Sequence, residues 1–410
     1  MRTRQDGSSL RNVVVLGFVS FFADLSTEMV YPLIPLFLTG AFGATPALVG
    51  VIEGIAESTA SLLRVFSGYI ADKYQRKKPL AFIGYATGLV YKLALILATS
   101  WTGVLAARVL DRIGKGIRTA PRDVMVAESG SADQLGMAYG LRETLDMAGS
   151  ALGILVAYLL VTYMGGSLDL EGYRHVFAIS VIPVIVALCL FPLLREKRAH
   201  VEAAPRERFW EKARSLDHDL RLYLVVATLF TLGNSSNAFL LLRAGDMGFD
   251  AGGTILLYLA YNASCSVLSI PLGKLSDRVG RKHVLVAGYV IFAAVYFVFA
   301  FPVAPGVLVT AFIAYGAYQA VIMGAERAFI AEIAPPELKG TMLGLESTLV
   351  GVALMPASAI AGALWVAFGG WAPFTLGATL ALAAAAVLAF GLRGEKTVNG
   401  PSGSSSSPHR

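Results

Sequence analysis

Long apolar segments alternate with short polar stretches along the whole chain. Twelve segments are long and apolar enough to span a membrane, near residues 12–39, 46–71, 79–99, 101–128, 136–164, 173–194, 220–243, 249–273, 283–302, 304–332, 340–368 and 371–392. A bilayer core about 30 Å thick needs roughly 20 residues of helix. The pattern therefore predicts an all-α polytopic membrane protein with 12 transmembrane helices.

Composition and charge support this class. Charged residues make up 15% of the chain, against about 25% in soluble domains. Basic residues cluster near residues 2–11, 73–78, 195–214, 278–282 and 393–396, all in loops on one predicted side. The positive-inside rule then places both termini in the cytoplasm of a multi-pass protein of the inner (plasma) membrane, in contact with its lipids. The net charge of +6 is spread over these loops, so we expect no nucleic-acid partner.

The two halves of the chain carry the same motifs. Asp72-Lys-Tyr-Gln-Arg76-Lys77 returns 205 positions later as Asp277-Arg278-Val-Gly-Arg281-Lys282, and each copy follows a glycine, Gly68 or Gly273. Ala127-Glu128 and Ala331-Glu332 correspond at nearly the same offset. Repeats in the same orientation predict two six-helix halves related by a pseudo-two-fold axis. We divide the chain into a first half (1–194), a cytoplasmic connector (195–219), a second half (220–393) and a disordered tail (394–410).

These motifs resemble the major facilitator superfamily of transporters along nearly the whole chain. The run Gly273-Lys-Leu-Ser-Asp277-Arg278-Val-Gly280-Arg281-Lys282 fits that family's loop signature, whereas the first copy has Gln75 in place of a glycine. The resemblance implies alternating access between two halves, with Arg76 paired to Glu128 and Arg281 to Glu332. The cytoplasmic gate that it implies comprises Gly68, Asp72, Arg76, Glu128, Gly273, Asp277, Arg278, Arg281 and Glu332.

Ionisable residues inside the spans are concentrated in the first half. Eight acids and eight bases fall within its spans: Asp24, Glu28, Glu53, Glu57, Asp111, Asp123, Glu143 and Asp146, with Arg64, Lys92, Arg108, Arg112, Lys115, Arg118, Arg122 and Arg142. An ionised side chain at the bilayer centre costs roughly 2.5–3.5 kcal/mol even on lenient scales, so these groups must face a cavity or pair with one another. A static lattice that holds the spans together is the alternative to a functional role.

Roles follow from position. Asp24 and Glu28 are the first candidates for proton coupling, and Glu53 and Glu57 are the second. The candidates for substrate binding in the first half are Arg108, Asp111, Arg112 and Lys115, with Arg112 expected to make a bidentate contact. Those in the second half are the neutral Asn234, Asn237, Tyr315 and Gln319. This predicts a division of labour between a charged half and a neutral half.

The sequence thus predicts a monomeric secondary active transporter, coupled to protons and moving a small anionic or zwitterionic metabolite. Efflux of lipophilic drugs by proton antiport is an alternative, although the glycine-proline pattern of such exporters on span five is replaced by Asp146-Met-Ala-Gly149. An uncoupled facilitator is a further alternative. An enzyme is disfavoured, because no nucleophile-base pair, metal motif or cofactor loop accompanies the charges. We expect no cofactor and no metal.

Overall fold

The computed structural model describes residues 3–74, 77–129, 135–165, 168–194, 216–335 and 339–391, and within them every regular element is helical. Two short 3-10 helices cover Tyr31–Leu33 and Phe191–Leu193. The α-helices are α1 Thr3–Glu28, α2 Ile34–Phe42, α3 Pro46–Tyr74, α4 Lys77–Leu97, α5 Trp101–Ser129, α6 Leu135–Tyr163, α7 Leu170–Leu190, α8 His218–Gly233, α9 Ala238–Asp246, α10 Ala251–Val279, α11 Arg281–Ala300, α12 Pro305–Ile333, α13 Lys339–Phe368 and α14 Trp371–Gly391. The predicted all-α membrane fold is confirmed.

Eleven stretches of the described chain are long and apolar enough to cross a membrane. They include Arg11–Phe42, which joins α1 to α2, and His218–Asp246, which joins α8 to α9. The remaining long helix, α5, has 29 residues and contains eight ionisable side chains, so it does not meet a criterion based on apolarity. Its length nevertheless matches that of its neighbours, and it lies among them.

Two spans are broken near their middle. The first is interrupted between Glu28 and Ile34, where Pro32 has no N–H to donate and a 3-10 turn replaces the α-helical ladder. The seventh is interrupted between Gly233 and Ala238, where Asn234 ends α8 in a non-helical conformation. Non-helical backbone within a membrane is tolerated where it is buried in protein or lines a cavity. Both breaks therefore indicate the part of the bundle in which a polar site can form.

The two halves pack together through α3 against α13 and α6 against α10. We call the membrane surface at which α1 begins the N-terminal face, and the one at which α2 ends the far face. Gly50 and Gly54, in the far-face half of α3, lie against the backbone of Ser358 and Met355 on α13. A Cβ at Gly54 would come within 2.9 Å of the Met355 carbonyl oxygen. Glycine therefore lets these helices approach closely on the far-face side.

A lysine in each half ties the start of one helix to the end of another. Lys78 at the start of α4 donates from Nζ to the carbonyl oxygen of Leu194, at 2.6 Å, just after α7. Lys282 at the start of α11 donates to the carbonyl oxygen of Ala389 in the last turn of α14, at 2.9 Å. Lys282 belongs to the second copy of the repeated loop motif, whereas Lys78 directly follows the first copy. The two contacts are therefore similar in kind but are not made by equivalent positions of the repeat.

The proposed connector and tail fall largely on residues 195–215 and 392–410, which lie outside the described residues. Their assignment stays a prediction, as does the exact division between the halves.

Candidate functional site

Two adjoining cavities lie between the halves. The larger has a volume of about 540 Å³ and the smaller about 220 Å³, and they share Asp24, Glu143, Asp146, Ser150 and Gln319 as lining residues. The first half lines them with charged side chains of α1, α5 and α6, while α10 contributes Tyr261, Asn262, Cys265 and Ser266. The predicted contrast between a charged and a neutral wall is therefore present, with Glu326 of α12 as an acidic exception.

The deepest charges form a closed set behind the cavity. Arg108 donates to both carboxylate oxygens of Glu53, from Nε at 2.8 Å and from Nη2 at 2.6 Å, and both side chains are only 1% exposed. Arg112 pairs with Glu57 at 2.8 Å. Asp111 lies between the two arginines, 3.7 Å from Arg108 and 3.9 Å from Arg112. Five of the predicted proton-coupling and substrate-binding residues are thus paired with one another.

The same set lies beside an aromatic ring from the broken first span. The guanidinium groups of Arg108 and Arg112 lie 5.4 and 5.9 Å from the centroid of Tyr31. Tyr31 belongs to the 3-10 turn, so the helix break places this ring against α5. Arginine over an aromatic face adds a cation–π attraction to the ion pairs.

A second group of charges lines the cavity itself. Asp24 Oδ1 lies 3.8 Å from Arg118, whose guanidinium stacks 4.7 Å from the centroid of Tyr85. Arg122 lies 3.1 Å from Asp123 and 3.8 Å from Asp146. This group links α1, α5 and α6 around the water-accessible volume.

The outermost pairs show where water reaches the cavity. Arg142 pairs with Asp146 at 2.8 Å and also with Glu143. The side chains of Asp123 and Glu143 are 43% and 44% exposed, whereas Arg108 and Glu53 are each 1% exposed. Asp123 and Glu143 lie towards the N-terminal face. Exposure therefore rises along the charged wall in the direction of that face.

Glu28 and Lys115 differ from the other cavity charges. Glu28 Oε2 accepts a hydrogen bond from the Tyr258 hydroxyl of the second half at 3.4 Å. Lys115 is exposed on the cavity wall. Among the described residues, neither has an oppositely charged side chain within ion-pair distance.

Three of the four neutral candidates of the second half lie away from the cavity lining. The Tyr315 hydroxyl donates to Asn237 Oδ1 at 2.9 Å, and Asn234 Nδ2 donates to the Tyr318 hydroxyl at 3.1 Å. Gln319 lines both cavities. Three of these candidates therefore form hydrogen bonds near the break in the seventh span, and the fourth, Gln319, lies at the cavity surface.

Sequence reasoning missed the contribution of α10. Tyr258, Tyr261, Asn262, Cys265 and Ser266 all lie on its inward side, and the first reaches Glu28. Their spacing of three, four, seven and eight residues is that of one helical face. This spacing is visible in the sequence, but the residues are uncharged and were not proposed as site residues.

The gate residues are described only in part. Arg281 Nη1 lies 3.1 Å from Glu332 Oε2 and also donates to the carbonyl oxygen of Ala328 at 3.0 Å. Gly273 has open space around it, and Arg278 is exposed. The other gate residues lie outside the part of the chain whose side chains are described: Gly68, Asp72, Arg76, Glu128 and Asp277. Their gating role stays a prediction.

Comparison with known proteins supplies a family. The family model described as Major Facilitator Superfamily matches residues 16–252 and 222–408. A protein of Methanocaldococcus jannaschii described as an uncharacterized MFS-type transporter is 35% identical over 87% of this chain and 88% of its own length. The multidrug resistance protein MdtG of Escherichia coli is 26% identical over 68% of this chain and 69% of its own.

A solved structure supports the same fold. The crystal structure of the nucleoside transporter NupG has a TM-score of 0.76 at 12% identity, covering 92% of this chain and 98% of its own. Identity at this level bears on architecture alone.

Proposed function

Since the chain belongs to the Major Facilitator Superfamily and is therefore a membrane transporter of small solutes, we propose that it is a secondary active transporter coupled to protons. The main observation in support of this proposal is the cavity between the halves. Its wall in the first half is formed by charged side chains of α1, α5 and α6. Charged groups at membrane depth are costly and functional by default. The inner (plasma) membrane location, cytoplasmic termini and monomeric state belong to the same proposal.

Alternating access fits the way in which the halves touch. Glycines of α3 pack on α13 near the far face, while exposure of the cavity wall rises towards the N-terminal face. We assign this arrangement to a state open at the N-terminal face. The Arg281–Glu332 pair is already formed in this arrangement and joins α11 to α12 within the second half, so closing the N-terminal face in the other state requires further contacts between the halves.

Asp24 is the principal candidate for the proton carrier. It lines both cavities, lies 3.8 Å from Arg118 and is 27% exposed, so water and an arginine compete for it. A carboxylate is driven towards its neutral form by desolvation and towards its charged form by a nearby cation. A movement of α1 relative to α5 changes both influences, and this couples proton binding to the conformation.

The test is proton movement in liposomes. Wild type and Asp24→Asn would be reconstituted with a trapped pH-sensitive dye and challenged separately with glutamate, 5-aminopentanoate and ethidium. We expect at least one probe to drive proton movement in the wild type and not in Asp24→Asn, while exchange of the same labelled probe persists. Glu171→Gln is the matched control, because this carboxylate is 65% exposed and pairs with Arg174 outside the cavity.

The three probes also separate the candidate functions. An anionic or zwitterionic metabolite is the favoured solute, because the cavity lining is rich in ionic groups. Efflux of lipophilic compounds is the second candidate, supported by the similarity to MdtG. Proton movement driven by ethidium alone would select it. Probe uptake without any proton movement in the wild type would contradict coupling and favour an uncoupled facilitator.

A further inference from the structure

Most ionic groups of the larger cavity already have partners. Its lining contains four cations, and each of the three arginines has a carboxylate within ion-pair distance: Asp24 for Arg118, Asp123 for Arg122 and Asp146 for Arg142. A solute that used one of these arginines would have to break an existing pair. Charges held in this way are poor first contacts for a ligand.

Two charges of opposite sign are left over. Lys115 is the one lining cation that has no carboxylate within ion-pair distance among the described residues. Glu28 is the corresponding acid, since its contact is the neutral hydroxyl of Tyr258 and Glu326 has interactions of its own. They come from different helices, Glu28 from α1 and Lys115 from α5, and line the same volume. The site therefore offers one spare positive and one spare negative charge.

We propose that this cavity binds a zwitterionic solute, with its anionic group on Lys115 and its ammonium group on Glu28 and the Tyr258 hydroxyl. This inference rests on the proposed transport function and specifies its substrate class. The physical reason lies in closure of the cavity. When the halves close around a solute, water is removed, and an enclosed charge without a counter-charge is strongly unfavourable.

Solutes of a single charge fail this requirement. A monoanion would neutralise Lys115 and leave Glu28 enclosed without a partner, and a monocation would do the reverse. A solute that carries both charges satisfies both side chains and adds no net charge to the closed cavity. The second half then contacts the uncharged part of the solute through Gln319, which lines both cavities, and through Asn262 and Ser266 where the solute extends into the smaller cavity.

The direct test is binding selectivity within one series of compounds. Purified full-length protein would be titrated by calorimetry with 4-aminobutanoate, 5-aminopentanoate and 6-aminohexanoate, which differ in the separation of their charges. Each would be compared with its N-acetyl form, which lacks the ammonium group, and its primary amide, which lacks the carboxylate. We expect at least one zwitterion to bind about tenfold or more tightly than both of its singly charged forms.

Two variants assign the ends of the solute. In Lys115→Gln the preference for the zwitterion over its amide should fall to about onefold, while the preference over the N-acetyl form remains. In Glu28→Gln the preference over the N-acetyl form should fall to about onefold, while the preference over the amide remains. Lys115→Arg and Glu28→Asp keep the charges and should keep both preferences. Melting temperatures without ligand identify any variant whose loss of binding comes from misfolding.

The results that would contradict the zwitterion proposal differ from those that would contradict proton-coupled transport. Equal affinity for the zwitterion and its singly charged forms, or no binding by any member of the series, overturns the substrate class. Unchanged preferences in both Gln variants overturn the assignment of the two residues. Selective binding without proton movement in liposomes would leave the substrate class standing and contradict proton coupling.

Discussion

At the scale of single residues, the buried pair Arg108–Glu53 shows how charge is accommodated inside this bundle. Two parallel hydrogen bonds of 2.8 and 2.6 Å join the side chains, and neither has appreciable contact with water. Replacing both members of such a pair with apolar residues changes the free energy of unfolding little. Removing one member alone is strongly destabilising, because the other charge stays buried without a partner. We therefore interpret it as a fixed point that orients α5 against α3.

The variant Glu53→Gln tests this interpretation. It leaves the Arg108 guanidinium buried with Asp111, 3.7 Å away, as the one remaining carboxylate within ion-pair distance among the described residues. We expect a loss of about 3–5 kcal/mol in the free energy of unfolding, because one member of a buried pair is left without its charge partner. Thermal or denaturant unfolding in detergent measures this loss, with Glu171→Gln as the exposed control.

A double variant gives the complementary result. Glu53→Gln combined with Arg108→Met removes both charges, so part of the lost stability should return. Stability of Glu53→Gln equal to wild type would show that water or another group solvates Arg108. That result would favour an active role for Glu53 in proton coupling.

At the scale of elements, the ends of helices matter as much as their apolar faces. Lys78 and Lys282 both place an ammonium group on carbonyl oxygens at the end of the last helix in their half. Those carbonyls have no intrahelical partner, and the negative end of the helix dipole favours a cation there. A lysine in or directly after the loop therefore has a structural task in each half, in addition to any gating role of the loop motif.

The variant Lys282→Met measures this task. We expect the amides in the last turn of α14 to exchange faster with solvent, corresponding to a local loss of about 0.3–1 kcal/mol, since a charged cap on the helix end is removed. Hydrogen exchange followed by mass spectrometry resolves the segment. Lys274→Met, at an exposed lysine on α10, is the control. Unchanged exchange in α14 would mean that the contact carries no stability.

The sequence predicted the helices well and their mutual orientation poorly. Segment length and apolarity located the spans, and the charges of α5 identified it as a lining helix. The partners of those charges could not be read, because they depend on how α3 and α5 are rotated about their axes. Arg112 was expected to bind substrate, yet in the structure it pairs with Glu57 at 2.8 Å. Tyr258 carried no charge and was missed, although it reaches Glu28.

At the scale of the whole molecule, we expect the close contact between α3 and α13 to influence the balance between the two proposed states. Gly50 and Gly54 meet backbone atoms of Ser358 and Met355, and backbone cannot move aside as a flexible side chain does. In the proposed cycle, this contact is present while the far face is closed and is lost when that face opens. Any group added there acts on one state of the transport cycle and spares the other.

Gly54→Ala should therefore shift the population towards a far face that is open. Its Cβ would lie 2.9 Å from the Met355 carbonyl oxygen, so the helices must separate. Distances between spin labels on the far-face ends of α3 and α13 should lengthen. Gly140→Ala is the control, because a Cβ there meets nothing within 4 Å. An unchanged distance distribution in Gly54→Ala would show that this contact does not limit opening.

The uneven walls of the cavity have a consequence for how quickly a solute finds its site. With ionic groups on one wall and neutral groups on the other, the electrostatic potential changes steeply across the opening. Such a gradient exerts a torque on a dipolar molecule and aligns it before contact. Dissolved salt shortens the reach of this field, to about 8 Å at physiological ionic strength. Association should therefore slow as ionic strength rises, while dissociation, governed by contacts inside the cavity, changes much less.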